Sequence, residues 1–133
     1  MAVALARLHA DRLGVPVEVD SAGTLGIVGH PAHPRAIAAC WERGLDLSDH
    51  RSKALDAERL AWADTVLVME LQHATSARAL AADLREDAVV TLGSLCGGGD
   101  IADPVNAWTM RPFRVARDEI DRCLAAWFAR HAR

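Results

Sequence analysis

Long apolar runs are missing from this sequence. About half of its 133 residues are apolar, yet no stretch approaches the roughly 20 residues that a helix needs to cross a bilayer, so a membrane-spanning protein is not expected. An excess of one charge is missing as well. The 15 basic and 18 acidic residues, net −3, are interspersed, with neither a basic stripe to track nucleic-acid phosphates nor a polybasic tail for a membrane surface. Nucleic acid and membrane are therefore excluded as partners. Arg7, His9, Asp11 and Arg12 interrupt the N-terminal apolar residues, which is unlike a secretory leader, and a cytoplasmic location is expected. Cysteine is scarce. Cys40, Cys96 and Cys123 are odd in number, widely spaced and free of a CxxC pair, against both a disulfide framework and a zinc site. Buried or idle thiols are expected, with no metal and no cofactor. No repeat, low-complexity tract or linker divides the chain, since Gly97-Gly98-Gly99 is too short to separate domains. Residues 1–133 suit one domain around a single sizeable core.

What is present is an alternation of helix and strand signals. Leu5, Leu8 and Leu13 fall near one face of a helix over Ala2 to Leu13, which Gly14 stops. Val15 to Val19 is short and β-branched and reads as a strand opening into the Asp20-Ser21-Ala22-Gly23 turn. Ile37, Ala38, Cys40 and Trp41 recur at helical intervals within Arg35 to Arg43. Asp56 to Ala63 predicts a short helix with Leu60 inward, Thr65 to Met69 the clearest buried strand, Gln72 to Asp83 a helix, and Ala88 to Leu92 a further strand. Gly93 to Asp103 reads as a loop. From Arg111 onward, Phe113, Ala116, Ile120, Cys123, Leu124, Trp127 and Phe128 trace the apolar face of a long closing helix. Short parallel-type strands alternating with helices make an open α/β sheet covered on both faces, with its site beyond the carboxyl ends of the strands. Asp20-Ser21, Glu70 and Asp103 all fall there.

Five segments, in order and at matching spacing, carry a family likeness: Asp20-Ser21-Ala22-Gly23-Thr24, Gly29-His30-Pro31-Ala32-His33-Pro34-Arg35-Ala36, Gly44 to Ser52, Ala63 to Glu70, and Asp100-Ile101-Ala102-Asp103-Pro104. Through them the chain resembles the low-molecular-weight protein tyrosine phosphatases over nearly its whole length. The resemblance implies a three-layer, flavodoxin-like parallel sheet. Met1 falls where that family has just finished its catalytic loop, so the first, central strand and the Cys-x5-Arg phosphate-binding loop are expected to be absent. Three strands of its own would remain. The two strands flanking the lost one would then pair directly, or a second chain would supply a strand, predicting a rearranged sheet or a homodimer.

In that family a thiolate attacks phosphorus, loop amides and an arginine hold the phosphate oxygens, and an aspartate protonates the leaving oxygen before helping water to hydrolyse the phosphocysteine. Asp103 matches the aspartate. Ser21 and His50 match residues that brace the catalytic loop, although each also suits a purely local role, Ser21 in a turn and His50 as a cap or packing group. The residues six after Cys40, Cys96 and Cys123 are Asp46, Ala102 and Ala129, so none of the three begins a Cys-x5-Arg loop. An aromatic residue commonly follows the Asp-Pro pair, but here Val105-Asn106-Ala107 precedes Trp108, which serves either as a substrate-stacking ring or simply as bulk. The resemblance implies phosphotyrosine or phosphomonoester hydrolysis if residues upstream of Met1 supply the missing strand and Cys-x5-Arg loop, with the 133 residues themselves expected to be inactive for want of a nucleophile. Two other readings stand beside it: a pseudophosphatase that binds a phosphotyrosine protein or a kinase, and an oligomeric structural domain.

Overall fold

A computed structural model describes residues 1–131. Helix α1, Ala2–Leu13, buries Val3, Leu5, Ala6 and Ala10 and ends at Gly14, whose φ of +65° lets its N–H turn back to the last carbonyls of the helix. Leu13, expected to face inward, is half exposed. Helix α2, Pro34–Trp41, starts with proline at its first turn, and the His33 ring nitrogen accepts the Arg35 N–H. Helix α3, Ala57–Trp62, is capped by Asp56, whose carboxylate accepts the Arg59 N–H at 2.8 Å, and it buries Leu60.

Strand β1, Val66–Val68, pairs in parallel with β2, Val89–Thr91, in the register Val66 to Val89. Between them runs α4, Leu71–Leu80. Helix α5, Arg111–His131, closes the chain. Leu67 and Met69 face a core built from Leu5, Ala6 and Ala10 of α1 and Ile120, Leu124 and Phe128 of α5. Val68 points to the opposite face by the strand's alternation, and α4 packs against both strands. The architecture is thus α/β, a small parallel sheet between helices. A second core joins Ala36, Ala39 and Cys40 of α2 to Leu47 and Phe113. No helix among the described residues is long and apolar enough to cross a membrane.

Two expectations need correction. The sheet has two strands, not three, and Val15–19 does not pair with β1. Its polar groups find local partners instead: Val15 N–H bonds the Ala10 carbonyl, Val17 N–H folds back to the Val15 carbonyl, and Val19 C=O accepts from Arg7. A strand needs a neighbour to satisfy alternate backbone groups. Without one on either side, the β-branched preference of this segment yields to a turn.

The second correction concerns the cysteines. Cys96 and Cys123 form a disulfide, with Cα atoms 5.2 Å apart, and only Cys40 is free and buried. Residue 96 ends a 3-10 turn, Leu92–Cys96, within the region predicted as loop, and this turn packs along α5. Tertiary packing joins two thiols that lie 27 residues apart in sequence.

Candidate active site

The site forms where loops leave the sheet and α1 begins. Gly29 N–H bonds the Ser52 carbonyl, Ser52 N–H bonds the His30 carbonyl at 2.8 Å, and His30 N–H bonds the Ser52 hydroxyl oxygen at 3.0 Å. This short two-segment contact, bridged at Pro31 and Arg51, brings the loop before α2 alongside the loop that carries His50. On the other side, Asp100 accepts the Leu71 N–H at the start of α4, and Ile101 N–H bonds the Met69 carbonyl beyond β1. Ile101 is buried. The loop is therefore pinned two residues before Asp103.

Two adjoining clefts result. One, of about 280 Å³, is lined by Met1, His30, Pro31, Ala32, His33, Ala36, His50, Ser52, Asp103, Pro104, Val105 and Phe113. The other, of about 190 Å³, is lined by Thr24, Leu25, Glu70, Gln72, His73, Ser76 and Asp103. Asp103 is common to both. Its carboxylate accepts the Val105 N–H at 3.0 Å, closing the turn through Pro104. The side chain stands at the surface, open to both clefts.

His50 lies in the first cleft with Asp103. Burial, followed by the positive charges of the Met1 amino group, Lys53, Arg7 and Arg51, pulls its pKa below the ordinary histidine range. The ring is thereby biased to its neutral form. Ser21 is not brought into either cleft; its N–H bonds the neighbouring Asp20 carboxylate at 2.9 Å. Asp20 in turn holds Lys53 at 2.7 Å, and that bond lowers the carboxyl pKa. Trp108 is also outside both clefts. It is 90% exposed, and its carbonyl rather than its indole is engaged, by Arg35.

Sequence reasoning attached no role to His30, His33, Ser52 or His73. His33 both caps α2 and stacks on Phe113 with ring centroids 4.8 Å apart. Glu70, placed by the sequence beyond the carboxyl end of β1, lines the second cleft and starts α4, where its N–H bonds the His73 ring. The local signals for these residues were the segments Gly29 to Ala36, which holds His30 and His33, Gly44 to Ser52, and Ala63 to Glu70; nothing in the sequence marked His73. No group of three or more His, Cys, Asp or Glu among the described residues is arranged to hold a metal.

None of the three thiols is placed as a nucleophile. Cys40 is fully buried between α2 and α5, and burial pushes its thiol pKa up. Cys96 and Cys123 are bonded to each other. The described residues thus offer a carboxylate and a neutral-biased imidazole beside a cleft, which suits proton transfer to or from a bound ester.

The sequence matches the family described as low molecular weight phosphotyrosine protein phosphatase over residues 1–133. It is 34% identical to a protein-arginine-phosphatase of Bacillus subtilis over 126 residues, 93% of this chain and 82% of that protein. It is 32% identical to a probable low molecular weight protein-tyrosine-phosphatase, EpsP, of Ralstonia nicotianae, over 86% of this chain and 77% of that one. The fold superimposes on the crystal structure of a low molecular weight protein tyrosine phosphatase from T. tengcongensis with a TM-score of 0.89 and 28% identity, covering 97% of this chain and 88% of the other.

Proposed function

The chain belongs to the low molecular weight phosphotyrosine protein phosphatase family, and from that membership we propose that Asp103 is the acid and base of a phosphomonoester hydrolysis site. Its position on the shared wall of the two clefts carries the reading. A thiolate attacking phosphorus breaks the ester P–O bond, and the protonated carboxyl of Asp103 gives its proton to the departing oxygen. The carboxylate so formed then takes a proton from the water that cleaves the phosphothiol.

The 133 residues supply the second half of this chemistry and not the first. We therefore expect the polypeptide of these residues to turn over p-nitrophenyl phosphate at background. Thiol-dependent turnover in a pure sample would refute the reading. Fusing a relative's strand and Cys-x5-Arg loop ahead of Met1 is expected to create activity, which Asp103→Asn then lowers by about 10²- to 10⁴-fold. A fused protein that binds phosphate and hydrolyses p-nitrophenyl phosphate equally well with Asn at 103 would remove Asp103 from this role. Phosphotyrosine peptide binding without turnover is the behaviour expected of the unfused chain as a pseudophosphatase module, and the unpaired side of β1 is where a second copy or a partner would add a strand.

One observation favours a second substrate class. Val105 follows Asp103-Pro104, and the Trp108 ring stands outside both clefts, so nothing aromatic from this loop stacks on a phenol. Glu70 and Asp103 instead place two carboxylates on one cleft, as a guanidinium would require. The named activity of the Bacillus subtilis relative is consistent with phosphoarginine. Parallel assays of phosphotyrosine and phosphoarginine peptides on the fused protein separate the two.

A further inference from the structure

Cys96 and Cys123 are unequal partners. Cys123 lies within α5 and is fully buried, whereas Cys96 ends the Leu92–Cys96 turn, is only half buried, and is followed at once by three glycines. A reagent in solution therefore meets the Cys96 sulfur first. We propose that the pair is a redox modification site, exchanging with a small disulfide or thiol of the glutathione type, and that its bond fixes the loop leading to Asp103.

The Cys96 thiolate attacks one sulfur of the oxidised tripeptide, breaking that S–S bond and expelling one tripeptide thiolate. The Cys123 thiol loses its proton to solvent and attacks the Cys96 sulfur of the mixed disulfide, expelling the second thiolate. Two protein thiols lose two electrons and two protons; one external disulfide becomes two thiols. Reduction retraces the same steps, again opening at Cys96. Cys40 is a bystander, enclosed between α2 and α5.

The consequence for the loop follows from where it is tied. At its far end Asp100 and Ile101 are bonded to the start of α4 and the end of β1. At its near end Gly98 N–H bonds the Gly93 carbonyl, and the backbone lies so close that a Cβ on Gly93 would strike the Gly99 carbonyl. Apart from the disulfide, the turn is held to α5 at its start by Leu92, fully buried against Ile120, Leu124 and Phe128, and at its end by two carbonyl contacts, Arg122 on Cys96 and Arg130 on Leu95, both at exposed positions. Cutting the S–S bond leaves Leu92 in place but only weak polar ties at the Cys96 end of the turn, and the glycines that follow lose the covalent tie at that end.

The test uses the 133-residue chain unaltered, equilibrated in glutathione buffers from mostly reduced to mostly oxidised, blocked with an alkylating agent after unfolding, and read by peptide mass. A Cys96–Cys123 cross-linked peptide is expected to rise as the buffer becomes oxidising, while Cys40 stays alkylated throughout. Hydrogen exchange on the two end states is expected to show the Gly98 amide exchanging about tenfold or more faster when reduced, with α4 unchanged. Cys96 and Cys123 remaining alkylated in the most oxidising buffer, or glutathione on Cys40 instead, would overturn the exchange site. Equal Gly98 exchange in both states would overturn the control of the loop. In Cys123→Ser, a glutathione adduct confined to Cys96 supports the order of attack, and an adduct-free Cys96 counts against it.

Discussion

Replacing Arg117 tests how α2 is held to α5. It is the one charged residue buried among the described residues, at 5% exposure, and its guanidinium donates to the Ala39 carbonyl at 2.8 Å, to Glu42 at 2.7 Å and to Asp118 at 2.8 Å. Ala39 lies in the last turn of α2, where helix carbonyls have no partner along the helix. Arg117→Met keeps most of the stem and removes the donors, leaving the Ala39 carbonyl unsatisfied at a cost of about 1–3 kcal/mol. Arg117→Ala also deletes two buried methylenes, about 1.5 kcal/mol more. With an unfolding entropy of about 2.1 cal/mol/K per residue, each kcal/mol moves the melting temperature of such a chain by about 3–4 °C. Thermal melts followed by circular dichroism should therefore drop by roughly 7 °C for Met and by roughly 12 °C for Ala. Glu42 and Asp118 keep Arg114 and Arg43 as exposed partners, so the loss is assigned to the buried carbonyl. A Met variant as stable as the parent would refute that assignment, because it would mean that the buried guanidinium gains nothing beyond its desolvation cost.

Acid provides an independent reading of the same network. Hydrogen bonds from Arg114 and then Arg117 hold Glu42 at a pKa of about 2, against an ordinary 4.5. A carboxyl depressed in the folded state stabilises fully above its unfolded pKa and progressively less as pH falls toward the folded one, so urea midpoints should fall between pH 4.5 and about 2, and less so in Glu42→Gln. Gly14→Ala forces a Cβ into the left-handed region at φ +65° and should cost about 1–2 kcal/mol by urea melts, a neutral result ruling out the turn that ends α1. Asp56→Ala removes the cap of α3 and should cost about 1 kcal/mol, visible as faster amide exchange at Arg59. The Cys96–Cys123 bond closes 27 residues, which in the chain-entropy account is worth about 3.5 kcal/mol. The oxidised chain should then melt roughly 12 °C above the reduced one, and coincident melts would contradict that account.

Helices were legible because their signals are local. Ala2–Leu13 matches its expected range at both ends, since the apolar spacing and Gly14 lie within one segment, and Asp56 with Leu60 marked α3 in the same way. β1 and β2 were placed to within a residue or two as apolar runs. Val15–19 also carried a strand signal, a short β-branched run, and failed, because pairing depends on a neighbour that the segment itself cannot specify. The disulfide was illegible for the same reason. A spacing of 27 residues means nothing until the turn before Gly97 lies on α5. In the site, motif matching found Asp103 and His50 together, but it did not show that Ser21 and the Trp108 ring stand apart from them, or that His30 and His33 join them through loop contacts.

The packing of α1 on α5 bears on how the chain reaches this structure. His9 stacks on Phe128 and bonds Asp121 at 2.7 Å across 112 residues of sequence. A ribosome delivers the first helix long before the last, so Leu5 and Ala10 wait uncovered through most of synthesis. Local helices form within microseconds, but the principal core closes only when α1 and α5 meet, after the entropy of a very long loop has been overcome. Folding of this chain is therefore governed by its final 20 or so residues, and a nascent chain stopped before α5 is a ready client for chaperones.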